Sequence, residues 1–161
     1  MAVYGCTQEI SERFSAKLDL NDGDVGGIGG TLAGNALSIA AMKATLDTVL
    51  TDDFYAKAIR LQERFTAGVE GVIEEFALPW IVKRLGNRSE YWFLPNPPKN
   101  GGEAAVAIDH DLDRYMHLYT LNRGILLTPF HNMALISPDT TEEEVDYHTA
   151  VFREAVVSLF G

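Results

Sequence analysis

Two histidines and an aspartate recur at helical spacing in one stretch of the chain. His110, Asp113 and His117 are three and four residues apart, so a helix would place all three on one face. Imidazole and carboxylate groups in that arrangement are ligands that transition metals accept. The same face also holds Asp111 and Arg114 and lies opposite the apolar residues, as solvated helix faces do. The pattern therefore leaves metal binding and plain exposure to water both open.

A cysteine and a third histidine could supply a nucleophile and its base. Cys6 is the one cysteine of the chain, and no local pattern around it indicates an activated thiol. We expect it to be a small buried hydrophobic residue. His131 lies in the sequence PFHN, at a kink between two predicted strands. Two roles stay open for it: a structural histidine among apolar neighbours, or a contact to substrate.

A glycine-rich turn leads directly into an apolar helix in GGIGGTLAGNALSIAAM, residues 26–42. No GK[ST] follows, which argues against a P-loop, and no strand precedes the turn as a dinucleotide-binding fingerprint requires. The turn still offers backbone N–H groups, the Thr31 hydroxyl and the positive end of a helix, which together can bind a phosphate. A close-packed backbone turn would use the same residues, and the physical argument leaves the two interpretations equal.

Composition narrows the class of protein and its partners. The chain has 161 residues, 47% of them apolar, and a formal net charge of −10, which fits one globular domain and makes nucleic acid an unfavourable partner. Neither a long apolar run nor a basic-then-apolar leader is visible, so we expect no membrane span, no secretion signal and a cytoplasmic location.

Hydrophobic spacing predicts the elements that must position these residues. Short helical order is expected at 7–14, a helix apolar on nearly all faces at 35–50, and an amphipathic helix from 51 to 76 that Pro79 ends. Further helices are expected from Asp109 to Gly124 and after the sequence TTEEE. Four short strands are predicted at 80–86, 89–95, 125–128 and 133–136, and residues 95–103 are predicted to form an exposed loop. The order indicates an α+β fold with a small, mostly antiparallel sheet packed with helices.

The predicted last helix has two possible capping boxes. Thr140 with Glu143, or Thr141 with Glu144, have the required spacing. Its buried face is expected to consist of Val145, Phe152, Val156 and Leu159.

Several segments, in order, resemble one enzyme family. GGTLAGNALSIAAMKATLD resembles the GGT-x-x-GNPLA-x-A segment of class III pyridoxal-phosphate aminotransferases, especially the glutamate-1-semialdehyde aminomutase branch. MAVYGC is similar to the family's P-V-G-A-Y-G. NRGILLTP and SPDTTEEEVD are similar to the branch's R-G-V-x-L-x-P strand and the opening of its H-T-x-E-D-I helix. The resemblance runs from Ala2 to Gly161.

The resemblance implies the C-terminal small domain of a fold type I pyridoxal-phosphate enzyme, preceded by a long interdomain helix. Residues 1–34 would be a remnant of the large cofactor-binding domain, 35–50 the interdomain helix and 51–161 the small domain. The chemistry implied is transamination through a lysine aldimine. That lysine would lie upstream of Met1, because none of the chain's lysines matches its motif, and the chain would be a catalytically incomplete fragment. The lysines concerned are Lys17, Lys43, Lys57, Lys83 and Lys99.

The resemblance also implies site residues and partners. Gly30 and Thr31 match the family's G-T pair, which contacts the cofactor phosphate of the other subunit, so a homodimer acting on a small amino-acid substrate is expected. Ala36 stands where the family usually has proline. The usual carboxylate-binding arginine is missing between Arg123 and Arg153.

Two interpretations stay open for the substrate, and two for the functional class of the protein. PFHNMAL is similar to aminotransferases of β-amino acids, so a β-amino acid or glutamate-1-semialdehyde is expected, with His131 as a contact. The alternative from another class is a non-catalytic, stand-alone interaction or metal-binding domain that uses the face with His110, Asp113 and His117. The apolar helix at 35–50 predicts that the isolated chain self-associates, or that the segment before it is disordered or refolds over it.

Overall fold

The computed structural model describes residues 5–17, 32–128 and 131–160. The chain divides into two compact units, Met1–Thr51 and Asp52–Gly161. The elements, in order, are α1 (Gln8–Lys17), α2 (Ala36–Thr48), α3 (Asp52–Glu75), β1 (Ile81–Leu85), β2 (Arg88–Trp92), α4 (Gly101–Val106), α5 (His110–Leu121), β3 (Met133–Leu135) and α6 (Glu142–Phe160). The expected α+β class is confirmed. No helix within the described ranges is long and apolar enough to cross a membrane.

The first unit contains the two helices expected before residue 50. Asn35 caps α2, because its side-chain oxygen accepts a hydrogen bond from the Ser38 N–H at 2.9 Å. Ala36 is the first helical residue, the position where proline is also favoured. α2 has no buried residue. Its apolar residues lie on nearly all faces, and burying them would require a covering layer. Cys6, in the short segment before α1, is exposed, so the expectation of a buried cysteine is wrong.

The second unit is built on the amphipathic helix α3. Its apolar stripe packs against α6 and the sheet and consists of Ala58, Leu61, Phe65, Val69 and Val72. The helix ends at Glu75, one residue before the predicted end. Ala77 takes a left-handed φ of 49°, and the Leu78 N–H donates to the Ile73 carbonyl at 2.9 Å, so a helix-terminating turn forms before Pro79 is reached.

Three antiparallel strands form the sheet, in the order β1, β2, β3. Gly86, with φ 61°, makes the turn of the β1–β2 hairpin, as predicted. In register, Lys83 faces Glu90 across the first pair, and Ser89 faces Ala134 across the second.

The predicted strand at 125–128 is wrong. This segment has no strand conformation. The Thr128 N–H reaches the Met133 carbonyl at 3.4 Å. Leu127 is buried. The apolar residues of this segment therefore belong to a loop that is partly covered, and not to a strand.

A short helix, α4, begins inside the predicted loop at 95–103, so that prediction is wrong for Gly101–Glu103. The cause is local capping. The Asn100 side chain accepts from the Glu103 N–H at 2.9 Å, and the Glu103 carboxylate accepts from the Lys99 N–H at 2.7 Å. These bonds satisfy backbone N–H groups at the start of the helix that have no partner within the helix itself. The next helix, α5, is capped by Asp109 and is followed by Gly124, whose φ is 79°.

The last helix, α6, opens with the second of the two possible capping boxes. The Thr141 hydroxyl accepts from the Glu144 N–H at 3.2 Å, and the Glu144 carboxylate accepts from the Thr141 N–H at 2.9 Å. Val145, Phe152 and Val156 are buried as expected. Leu159 is 37% exposed, so its predicted burial is wrong. It lies in the last turn of α6, near the end of the described chain.

Candidate functional site

A cleft opens in the second unit between β2, α4, the first half of α5 and the turn that enters β3. It consists of two adjoining pockets of about 190 and 260 Å³. Four residues line both pockets: Ile108, Asp113, His131 and Asn132. The cleft therefore brings together residues from two of the sequence patterns, the histidine-rich helix and the PFHN kink.

His131 lies at the rim of the cleft. Its Nδ1 is 3.1 Å from the Glu90 Oε1 on β2, and its side chain is 57% exposed. His131 therefore does not lie among apolar neighbours, but its bond to Glu90 is compatible with a structural role as well as with a contact to substrate. With Nδ1 held by the carboxylate, the Nε2 atom is the ring nitrogen left for a ligand.

Asn132 and Asp113 form the second polar pair of the cleft. Asn132 is 7% exposed, and its Nδ2 donates to the Asp113 Oδ1 at 2.7 Å. The Asn132 carbonyl accepts from the Tyr91 N–H at 3.2 Å. Asn132 therefore bonds to β2 through its backbone and to α5 through its side chain. The sequence analysis missed Asn132. The sequence feature that could have indicated Asn132 is its position, as a polar residue directly before a predicted buried strand.

Tyr91 lies beneath this pair in the core. Its ring packs edge-on against Phe152, with centroids 5.0 Å apart, and its hydroxyl has no hydrogen-bond partner. Burial, followed by the negative charge of Asp113, raises the pKa of Tyr91 above its usual value. The hydroxyl therefore stays protonated and can both donate and accept.

The three residues of the histidine-rich helix line the second pocket, with Arg114 beside them. Within the described ranges, no group of three or more His, Cys, Asp or Glu side chains could hold a metal ion. The helix face with His110, Asp113 and His117 is not purely solvated either. Asp113 is partly buried, and it accepts a hydrogen bond from Asn132. The metal-binding alternative has no support from this geometry.

The candidate phosphate-binding pair, Gly30 and Thr31, lies outside the described residues. Of the lysines, Lys43 pairs with Asp47 on α2, and Lys57 donates to the Pro138 carbonyl at 2.7 Å. Neither lines the cleft.

Relatives of known identity match most of the chain. The glutamate-1-semialdehyde 2,1-aminomutase of Chlamydia abortus is 29% identical over 133 residues, which are 82% of this chain and 30% of the relative. The enzyme of the same name from Thermus thermophilus is 32% identical over 129 residues, 79% of this chain and 30% of the relative. No protein-family model matches the chain.

A solved structure agrees more closely. A glutamate-1-semialdehyde-aminomutase from Pseudomonas aeruginosa PAO1 superposes with a TM-score of 0.86 and 44% identity, covering 96% of this chain and 35% of the neighbour. The chain is similar, over most of its length, to one part of the class III pyridoxal-phosphate aminotransferases.

This similarity confirms the expected fold. An omega-transaminase from Sphaerobacter thermophilus, at 22% identity and a TM-score of 0.70, has the same fold over 83% of this chain and 30% of its own. The chain spans about a third of the length of the class III aminotransferases it matches. The cleft is thus a surface of one part of the aminotransferase fold.

Proposed function

We propose that the chain is part of a pyridoxal-phosphate-dependent aminotransferase or aminomutase that moves the amino group of a small amino-acid substrate. The observation that supports this most is the match to two solved aminomutases, at 44–45% identity over 94–96% of the chain, one of them in complex with PMP. Because the chain spans about a third of such enzymes, it would contribute to a site completed by other residues.

Gly30 and Thr31 would hold the cofactor. When bound, pyridoxal phosphate supplies the electron-withdrawing ring on which amino groups are exchanged. The chain's own part is to bind the phosphate: backbone N–H groups of the glycine turn and the Thr31 hydroxyl donate to it, across a homodimer, from the turn that precedes α2. The motif GGTLAGN supports this assignment. In this proposal residues 1–34 belong to the cofactor-binding domain, 35–50 form the interdomain helix, and 51–161 form the small domain.

None of the chain's lysines would act as the catalytic base. No lysine within the described residues lines the cleft, and no lysine stands in a sequence that matches the family's cofactor-lysine motif. The chain would therefore supply walls to the site, and the reaction's proton transfers would depend on a lysine outside it. The complete enzyme would act in the cytoplasm.

His131 would contact the substrate. It lines both pockets, and its Nδ1 is held by Glu90. No arginine stands between Arg123 and Arg153 to bind a substrate carboxylate in this region. A β-amino acid or glutamate-1-semialdehyde is the substrate we propose.

A chimera tests the proposal. The matching segment of the Pseudomonas aeruginosa aminomutase is replaced by this chain, and the purified protein is passed through gel filtration after loading with pyridoxal phosphate. We expect the cofactor to remain bound and to be converted to its amine form by an amino donor. Thr31→Val should weaken cofactor affinity by about tenfold or more, because a hydrogen bond to a charged group is lost. A folded chimera that retains no cofactor would refute the proposal.

A further inference from the structure

The backbone around His131 is fixed by hydrogen bonds. The His131 N–H donates to the Thr128 carbonyl at 3.2 Å. The next residue, Asn132, is bonded twice, because its carbonyl accepts from the Tyr91 N–H at 3.2 Å and its Nδ2 donates to the Asp113 Oδ1 at 2.7 Å. The Cα atom of His131 is therefore held in place, and its ring can move only by rotation about its side-chain bonds.

Glu90 restrains that rotation. It lies on β2, the central strand of the sheet, and its register partners are Lys83 on β1 and Met133 on β3. Its Oε1 is 3.1 Å from the His131 Nδ1, and its side chain is less exposed than that of His131. A carboxylate on a strand that is paired along both edges is a firm anchor for a ring on the neighbouring turn.

The bond to Glu90 also determines which ring nitrogen of His131 carries the proton. An ionised carboxylate only accepts hydrogen bonds, so the hydrogen between the two groups must belong to the Nδ1. A neutral imidazole has one N–H, and its Nε2 is then a bare acceptor. Among the described residues, no hydrogen bond to this Nε2 is formed. His131 thus brings one unused acceptor to the cleft.

We propose that Glu90 is a positioning residue that acts through His131. It fixes the orientation and the tautomer of the ring, so that the Nε2 accepts a hydrogen bond from an N–H or O–H group of the substrate. A carboxylate has no hydrogen to donate and is not the group that this nitrogen binds. The contact between His131 and the substrate rests on the proposed function, whereas the tautomer is a property of the chain alone.

Nuclear magnetic resonance of the ¹⁵N-labelled chain tests the tautomer. At about pH 8.5, above the range in which histidines ordinarily change charge, we expect a protonated Nδ1 and a bare Nε2 in His131. Glu90→Ala should lower the ratio of this tautomer to the other by about threefold or more. Glu70→Ala, at an exposed position on α3, is the control and should leave the ratio unchanged. A protonated Nε2 in the parent chain, or an unchanged ratio in Glu90→Ala, would overturn the inference.

Kinetics of the chimera, with β-alanine as the amino donor, test whether Glu90 acts through His131. Glu90→Ala and His131→Ala should each raise the KM for β-alanine by about fivefold, with a smaller change in kcat. The double variant should be no worse than His131→Ala, because both substitutions remove the same contact. Effects that multiply would show that Glu90 acts by another route, and the inference would fail.

The two proposals fail separately. A parent chimera that retains no cofactor, or that does not transfer the amino group of β-alanine, would count against the proposed function. Neither result alters the tautomer measured in the chain by itself.

Discussion

His148 shows how burial alone changes a residue's chemistry. Its ring is stacked on Phe152, with centroids 6.1 Å apart, and lies 4.4 Å from the ring of Phe65. Neither ring nitrogen has a hydrogen-bond partner. Loss of hydration lowers the pKa of His148 from 6.5 to about 4, so the imidazole is neutral at pH 7 and behaves as part of the hydrophobic core.

This burial predicts a pH dependence of stability. The folded-state pKa lies below the unfolded value, so the unfolded chain binds more protons between pH 6.5 and 4. Stability is therefore unaffected by His148 above pH 6.5 and falls as the pH drops towards 4, by on the order of 3 kcal/mol. Urea unfolding at a series of pH values should show this slope. His148→Leu should remove it, and His110→Ala, at an exposed position, should leave it in place.

The acidic side chains contribute in a lower pH range. A hydrogen bond from Arg153 lowers the pKa of Glu75, and one from Arg64 lowers the pKa of Asp146. These exposed pairs lose their contribution only as the pH falls through the lowered pKa values of the carboxylates. A slope confined to that range and absent between pH 6.5 and 4 would contradict the role given to His148.

Ala77 holds a backbone conformation that suits glycine. Its φ of 49° is left-handed, which costs an L-residue about 1–2 kcal/mol. Ala77→Gly should therefore raise the free energy of unfolding by about 0.5–1 kcal/mol. Ala67→Gly, in the interior of α3, is the matched control and should lower it by about 1 kcal/mol. Thermal and urea unfolding measure both. Destabilisation by Ala77→Gly would show that the turn after α3 is not strained.

At the scale of the elements, the α3–α6 crossing depends on one glycine. A Cβ at Gly68 would lie 2.3 Å from the Thr149 Oγ1, whereas one at Gly71 would meet nothing within 4 Å. Gly68 therefore allows the two longest helices to approach closely, and they in turn support the sheet that forms the wall of the cleft.

This geometry predicts opposite effects for one substitution at two positions. Gly68→Ala should lower the free energy of unfolding by about 1 kcal/mol or more, since overpacking exceeds the gain in helix propensity. Gly71→Ala should raise it by about 0.5–1 kcal/mol. Adding Thr149→Ala to Gly68→Ala should restore most of the loss. Stabilisation by both alanines alike would contradict the crossing described here.

Element by element, the sequence predicts what local patterns determine. The period of α3, the start of α5 at Asp109 and the two possible capping boxes of α6 depend on residues a few positions apart, and the structure has α3 and α5 there and uses the box at Thr141. The helix α4 was missed because glycines and prolines around it signal a loop, while its cap depends on Asn100 and Glu103. The false strand arose because the buried Leu127 belongs to a loop.

The cleft could be predicted only in part. Its histidine-rich helix and PFHN kink were recognised as separate patterns. Their meeting depends on contacts such as Asn132 with Asp113, 19 residues apart, and His131 with Glu90, 41 residues apart. Such pairings follow from the packing of the sheet against α5 and have no local signal in the sequence.

For the whole molecule, the apolar surface of α2 predicts association. The helix buries none of its residues, and Leu37 and Leu46 are 80% and 54% exposed. Covering such a surface is favourable by about 25 cal/mol per Å². Light scattering should show concentration-dependent self-association that the double substitution Leu37→Glu with Leu46→Glu reduces. Hydrogen exchange tests the alternative, in which residues 1–31 cover the helix. A monomer at all concentrations with unprotected α2 amides would contradict both.

We propose that Thr31 of this chain completes a cofactor site in another subunit, and mixed dimers test this proposal most directly. One chimeric subunit carries Thr31→Val and keeps the cofactor lysine of the Pseudomonas aeruginosa portion, while the other keeps Thr31 and has that lysine replaced by alanine. If Thr31 reaches across the dimer, one site in each mixed dimer is intact. We therefore predict that mixed dimers retain cofactor and transfer amino groups at about half the rate per dimer of the unmodified chimera. Mixed dimers no more active than the two parent homodimers would contradict the claim.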